Sequence, residues 1–228
     1  MRRWTWLVVV AAMSAMALPP PVTAQTSEAV GVVTTLDGRA NVARPALTLP
    51  LALKFKDDVF GRDRISTQEN SFVRVLLGGK AILTVRELSQ VTISEEPGRA
   101  VVTLPDGKVV LAVAKQRLRP GESIEIRTPN AVAAVRGSSM AVTHVAARAD
   151  TIAICGSGDC TYQFGTGPTN VLPPGQAGKN AQIVLASPAE MTEAKPRPST
   201  VSANVPCTSS HARTQREQTM HLVGSKAK

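Results

Sequence analysis

Aromatic side chains are scarce in this chain: its 228 residues include two Trp, one Tyr and four Phe. Both tryptophans, Trp4 and Trp6, fall at the extreme N-terminus. Proteins that hold single-stranded nucleic acid pair a basic groove with aromatic platforms on which bases stack. With the platforms missing, nucleic acid is not expected as a partner. Histidine is scarcer than its count of three suggests, because His211 and His221 fall in a polar C-terminal stretch and His144 alone remains in the apolar, patterned part. A metal centre needs convergent ligands, and a nucleophile needs an adjacent base. One histidine supplies neither, so no metal and no cofactor are expected. Also lacking are a sustained apolar period at helical spacing, a glycine-rich phosphate loop leading into a helix, and, beyond the N-terminus, an apolar run of the roughly 20 residues that cross a bilayer.

The chain opens with MRRWTWLVVVAAMSAMALPPPVTAQ. Arg2 and Arg3 precede an apolar run over residues 7–18, three prolines break it, and Val22-Thr23-Ala24 offers a small-residue cleavage site. That pattern is a secretory signal peptide, residues 1–24, removed after Ala24. Its apolar run is shorter than the roughly 20 residues of a spanning helix, so the mature chain is expected to carry no transmembrane anchor and to be periplasmic or secreted. The formal charge is +9, from 26 Lys and Arg against 17 Asp and Glu. Two of the arginines leave with the leader, and what remains is still basic, which favours an acidic partner face or an anionic polymer.

From residue 29 to 185 the sequence reads as short β-branched runs between turn signals. Examples are VGVVTTL (30–36), FVRVLL (72–77), AVVTL (100–104), VVLAV (109–113), SIEIRT (123–128) and the pair TIAIC (151–155) and CTYQF (160–164). Breakers such as Gly78-Gly79, Pro105-Asp106-Gly107 and Pro174-Gly175 stand between them. Alternation assigns faces: Val73, Val75 and Leu77 share one side and Arg74 the other, while Ile124 and Ile126 oppose Glu125 and Arg127. The expected fold class is therefore all-β, with many short strands in a stacked solenoid-like or sandwich arrangement over residues 25–186. Residues 187–228 are rich in Pro, Ser, Thr and charge and have no apolar period. Burial there could not offset the ordering entropy, and a disordered basic tail is expected.

One segment, TPNAVAAVRGSSMAV at 128–142, is nearly devoid of reactive groups yet strongly patterned. Thr128-Pro129 should end a strand, because proline lacks the ladder donor and holds the residue before it extended. Ala131, Ala133 and Ala134 allow a neighbouring layer to approach, and Gly137 can take a positive φ at a corner. Arg136 is expected to be buried, its guanidinium clasping backbone carbonyls or an acid; the alternative is that it binds an anionic ligand.

With the blocks before it, DDVFGRDRISTQENSFVRVLLGGKAILTV and GRAVVTLPDGKVVLAV, this segment resembles the FecR domain, the periplasmic domain of ferric-citrate signalling regulators. Thr128, Pro129, Ala131, Val135, Arg136 and Gly137 match the central motif, Ser138 replaces its usual Thr, and Met140 stands where an aromatic is common. Asp57 or Asp58 takes the place of the family's acid, Arg64-Ile65-Ser66-Thr67 its Arg-x-x-Thr step, Gly78-Gly79-Lys80 its Asp-Gly-Ser turn, and Leu172-Pro173-Pro174-Gly175-Gln176 its closing turn. Thr151 opens its late strand pair. The resemblance implies an envelope module that works by binding. The family's cytoplasmic anti-sigma segment and membrane helix have no counterpart in this sequence, so the chain is not expected to carry a signal inward by itself.

Cys155 and Cys160 flank a Gly-rich turn in an exported chain, and a disulfide closing a hairpin is the expected reading; Cys207 is left unpaired. Ser138, His144 and Asp150 could be drawn as a triad, but on one strand and its turn their side chains spread apart. Glu95 and Glu96 are adjacent on a strand end and face opposite ways, which does not suit paired-carboxylate chemistry. The chain is thus expected to be a non-enzymatic binding module of the cell envelope that engages an envelope protein or an anionic cell-wall polymer. The alternatives are a structural envelope protein and a carbohydrate-active enzyme on a β scaffold.

Overall fold

The longest strand, β9 (Arg99–Val113), belongs to two sheets at once. The computed structural model describes residues 28–158 and 160–194; the leader, its cleavage site, Cys207 and the other residues of 195–228 lie outside the described residues. Residues 99–106 of β9 pair antiparallel with β8 (Gln90–Glu96), and residues 99–103 pair parallel with β10 (Ser123–Arg127). From Gly107 onward the strand instead runs antiparallel between β7 (Ala81–Val85) and β12 (Ser139–Val145). Pro105-Asp106-Gly107, expected to reverse the chain, only bends it. Gly107 has φ 105°, and a β-carbon on it would lie 2.4 Å from the Ser89 α-carbon, so the corner forms where the backbone presses on its neighbour.

The first sheet also contains β1 (Ala29–Asp37), β4 (Asp58–Phe60), β6 (Phe72–Leu77), β13 (Asp150–Ser157), β16 (Gln176–Lys179) and β17 (Gln182–Leu185), in the order β4-β1-β6-β7-β9-β12-β13-β16-β17. The second adds β2 (Ala40–Ala43), β3 (Leu51–Ala52), β5 (Arg64–Thr67), β11 (Ala131–Val135), β14 (Cys160–Phe164) and β15 (Asn170–Leu172), in the order β3-β2-β5-β8-β9-β10-β11-β14-β15. From β6 onward the chain lays down strands in one sheet, crosses, and lays down the next in the other. The result is a sandwich wound like a solenoid, and the all-β expectation holds.

One core cluster joins the two sheets. Val73, Leu83, Leu111 and Met140 of the first sheet meet Ile65, Ile93, Ile126 and Val135 of the second, all of them fully buried. The alternation read from FVRVLL and SIEIRT holds: Val73, Val75, Leu77, Ile124 and Ile126 point inward.

A smaller cluster lies on the outer face of the first sheet, where Val110, Ala141, Ile154 and Ala177 are covered by Met191 and Ala194. Those two residues come from a short helix, α1 (Pro188–Ala194), so packed structure continues past residue 186, where the tail was expected to begin. The Ser187 N–H donates to the Glu190 carboxylate at 2.7 Å and the Glu190 N–H points back to the Ser187 hydroxyl at 3.4 Å. This is a capping box, with Pro188 at the first helical position, where its missing N–H costs nothing. Lys179 and Lys108 add ion pairs to Glu190 and Glu193. Seven residues are too few to display a helical period, and the polar composition concealed the helix.

Candidate functional site

Next to α1 the outer face of the first sheet is left open as a groove of about 940 Å³. Its floor is a single cross-strand row: Leu76 pairs with Ile82, Ile82 with Ala112, and Ala112 with Ser139. Because β residues alternate faces, the same register that buries Val75, Leu83 and Leu111 obliges this row to face out. Ile82 is 42% exposed. Met191 of α1 forms one wall, and Gly137 and Ser138 form another.

The charged residues on the groove are Lys80 and Arg117, and no described carboxylate lines it. Lys80 pairs with Glu122 at 2.5 Å, and Arg117 donates to the Gly79 carbonyl at 2.8 Å. The hydrogen bond from Lys80, followed by that from the Arg119 backbone N–H, holds the Glu122 carboxyl below the usual range. The site is thus apolar at its base and cationic at its rim, with serine hydroxyls on one side.

The central motif is divided between the two ends of β11 and is not one corner. At the first end, Thr128 accepts the Ala131 N–H at 3.0 Å and its hydroxyl lies 3.1 Å from both Asn130 Oδ1 and the Thr151 hydroxyl. Thr151 also bonds Asn130, and its hydroxyl meets Nδ1 of buried His144 at 2.8 Å. Between the ends, Ala131, Ala133 and Val135 point into the core.

At the other end, Gly137 has φ 82°, and a β-carbon there would lie 2.3 Å from Lys115 Cβ. Ser138 is buried with its hydroxyl 3.2 Å from Cys160 Sγ. Arg136 departs from expectation. It is exposed and has no hydrogen bond or ion pair among the described residues. The cause is alternation: Val135 is fully buried, so the next side chain must face solvent. The polar clasp is Thr128 with Asn130, Thr151 and His144, and sequence reading missed Asn130 and Thr151 as its members.

Cys155 and Cys160 are bonded, with α-carbons 6.0 Å apart, but they do not close a hairpin. β13 pairs with β12 and β16 in the first sheet, and β14 pairs with β11 and β15 in the second. The bond therefore staples a crossover between sheets. Ser138, His144 and Asp150 are not brought together, since Ser138 faces the disulfide, His144 faces Thr151, and Asp150 meets Arg148 and Asn180. Glu96 joins Glu125, Arg99 and Arg127 in an ion-pair lattice. Burial raises the Glu125 carboxyl, but hydrogen bonds from Arg127 and Arg99 outweigh it and leave it lowered.

The buried acid of the N-terminal part is Asp63, which is 1% exposed, accepts the Phe60 N–H at 3.0 Å and pairs with Arg44 at 3.2 Å. Asp58 is exposed and Asp57 half-buried. The Gly78-Gly79-Lys80 turn borders the groove. The groove residues Leu76, Ile82 and Met191 escaped sequence reading, although apolar residues at outward positions of β6 and β7 were the available signal.

The family model described as FecR protein matches residues 63–157, a segment that begins at Asp63 and includes the central motif and the floor of the groove but not α1. Two crystal structures of a "putative anti-sigma factor" from Parabacteroides distasonis ATCC 8503, at 2.50 Å and 1.65 Å resolution, are each 16% identical to this chain with a TM-score of 0.46. The match covers 53% of this chain and 57% of that one, so this chain spans little more than half the length of its solved neighbour. No curated protein matches.

Proposed function

We propose that this chain, whose residues 63–157 form a FecR domain, is an exported, non-enzymatic module of the cell envelope that binds a protein partner in the groove beside α1 as part of a signalling system. The observation that carries this reading is the in-register row Leu76, Ile82, Ala112 and Ser139, held open to solvent between Met191 and two cations. An apolar floor rewards an occupant that brings apolar side chains, and the rim cations Arg117 and Lys80, the latter already paired with Glu122, reward one that also brings an acid. A protein segment of mixed apolar and acidic character meets both conditions; an anionic cell-wall polymer meets only the second. The separation of Ser138, His144 and Asp150 supports a role in binding over catalysis. The disulfide fits an oxidising compartment.

The test is site-specific photocrosslinking in intact envelopes. A photoreactive residue at Ile82 should give a discrete protein adduct, whereas one at Val171, exposed on β15 of the other sheet, should not. Introducing Leu76→Asp alongside it should abolish the Ile82 adduct. An Ile82 signal no stronger than that at Val171 would refute the groove as the binding surface.

A further inference from the structure

A run of exposed apolar side chains lies elsewhere, on the loop of residues 45–56 between β2 and β4, outside the segment that matches the FecR model. Residues 45–52 are all exposed, with Leu47 at 45%, Leu49 at 74% and Leu51 at 44%, and Phe55 a little further on at 59%. The loop is rooted firmly. Leu53 is buried and its N–H bonds the Ala40 carbonyl at 2.9 Å, while the Lys56 N–H bonds the Val33 carbonyl at 2.9 Å. A rooted base with an apolar tip in water is not a stabilising arrangement by itself, since exposed apolar area is unfavourable.

The tip itself is uncharged, and the charge at its base is mixed: Arg44, Lys54, Asp57 and Asp58 line one pocket beside Leu51. Residues 45–53 contain no charged side chain, Lys54 and Lys56 follow, and Lys56 Nζ stands 5.5 Å from the centre of the Phe55 ring. The nearest acids in sequence are Asp57, whose carboxylate accepts the Lys54 N–H at 2.8 Å, and Asp58. β3, the strand within the loop, has two residues, too short an edge for a second copy to extend by strand pairing.

We propose that this loop docks the protein on an anionic lipid surface. Leu47, Leu49, Leu51 and Phe55 enter the boundary between headgroups and acyl chains, and Lys54 and Lys56 meet the lipid phosphates. Apolar side chains and lysines are the two signals that peripheral attachment uses together, and although Asp57 and Asp58 offset part of the local charge, the basic charge of the whole chain draws it toward such a surface. Among the described residues no helix is long and apolar enough to cross a membrane, so attachment of this kind would place the groove near a bilayer without a spanning segment.

The test is cosedimentation of the exported form of the chain with vesicles of phosphatidylglycerol and phosphatidylethanolamine, against vesicles of phosphatidylcholine alone. The wild type should partition to the anionic vesicles. L49S/F55S and K54E/K56E, both at exposed positions and both checked for an unchanged thermal midpoint, should each lose about tenfold or more of that partition. Absence of binding to anionic vesicles would overturn the proposal. So would undiminished binding by L49S/F55S, which would assign the attraction to other cations of the chain. A wild type that light scattering shows as a dimer, and that L49S/F55S converts to a monomer without any vesicle binding, would make the loop a contact between copies.

Discussion

His144 Nδ1 stands 2.8 Å from the hydroxyl of Thr151, and both side chains are almost wholly buried. Thr151 also bonds Asn130, whose amide reaches the Ala149 carbonyl, so one hydroxyl ties β12, β13 and the turn before β11. Thr151→Val keeps the shape and removes that hydroxyl, leaving buried polar groups short of partners at about 1–3 kcal/mol. For a domain of this size each kcal/mol lowers the thermal midpoint by about 2–4 °C. Thr151→Ser, which retains the hydroxyl, should recover part of the loss. A Thr151→Val protein as stable as wild type would remove the clasp from this end of the motif.

At the other end the same motif predicts a contrast between neighbours. Arg136→Ala should change stability by less than about 0.5 kcal/mol, because its side chain is exposed and unpartnered among the described residues. Gly137→Ala meets two penalties: a positive φ, at roughly 1–2 kcal/mol for a residue with a β-carbon, and collision with Lys115. Gly121, with the same φ of 82° but nothing within 4 Å of a built β-carbon, separates the two effects. Urea unfolding should therefore rank Gly137→Ala below Gly121→Ala, and Gly121→Ala below Arg136→Ala. An equal loss at Gly121 and Gly137 would show that Lys115 yields freely.

What the sequence disclosed here is local. Alternation in FVRVLL and SIEIRT assigns the buried faces, and turn chemistry places most strand ends, because both are written in residues next to one another. The sheet to which a strand belongs is not local. Pro105-Asp106-Gly107 reads as a reversal but bends β9 from one sheet to the other, and the residues flanking Cys155 and Cys160 read as a hairpin though their strands have different partners. Arg136 departs from expectation for a related reason: its five donors favour burial, while the pleat that buries Val135 sends it outward. The groove was illegible because Leu76, Ile82 and Ala112 lie on three strands, and only the register makes them a row.

The disulfide staples a crossover whose closed loop is short, so chain-entropy arguments place its contribution at the low end of the usual range, about 2 kcal/mol. Both sulfurs are buried, and Ser138 rests against one of them. C155A/C160A should unfold cooperatively at lower denaturant while retaining the β signature in far-ultraviolet circular dichroism. Intact mass of the unreduced protein should show both thiols consumed. Two free thiols, or an unfolded double variant, would contradict this account.

Acid should act on the helix beside the groove. The Glu190 carboxyl is lowered from the usual 4.5 to about 2, first by the backbone N–H of Ser187, then by Lys179 and the Ser187 hydroxyl. A carboxyl whose folded value lies below its unfolded one stabilises fully above the unfolded value, and the contribution fades as pH falls from about 4.5 toward 2. Glu122 and Glu125 are lowered as well, so acid weakens the sheets in the same direction, and the contribution of α1 needs a local probe. Met191 provides one, since its side chain packs on the outer cluster and lines the groove. Its methyl resonance should move toward a solvent-exposed position between pH 4.5 and 2, and in Glu190→Ala, which removes the acceptor for the Ser187 N–H, it should be shifted that way already at pH 7 with little further change. Since Met191 is a wall of the groove, crosslinking at Ile82 should weaken over the same interval. A Glu190 carboxyl that titrates near 4.5, or a Met191 methyl indifferent to acid, would show that the capping box does not hold the wall in place.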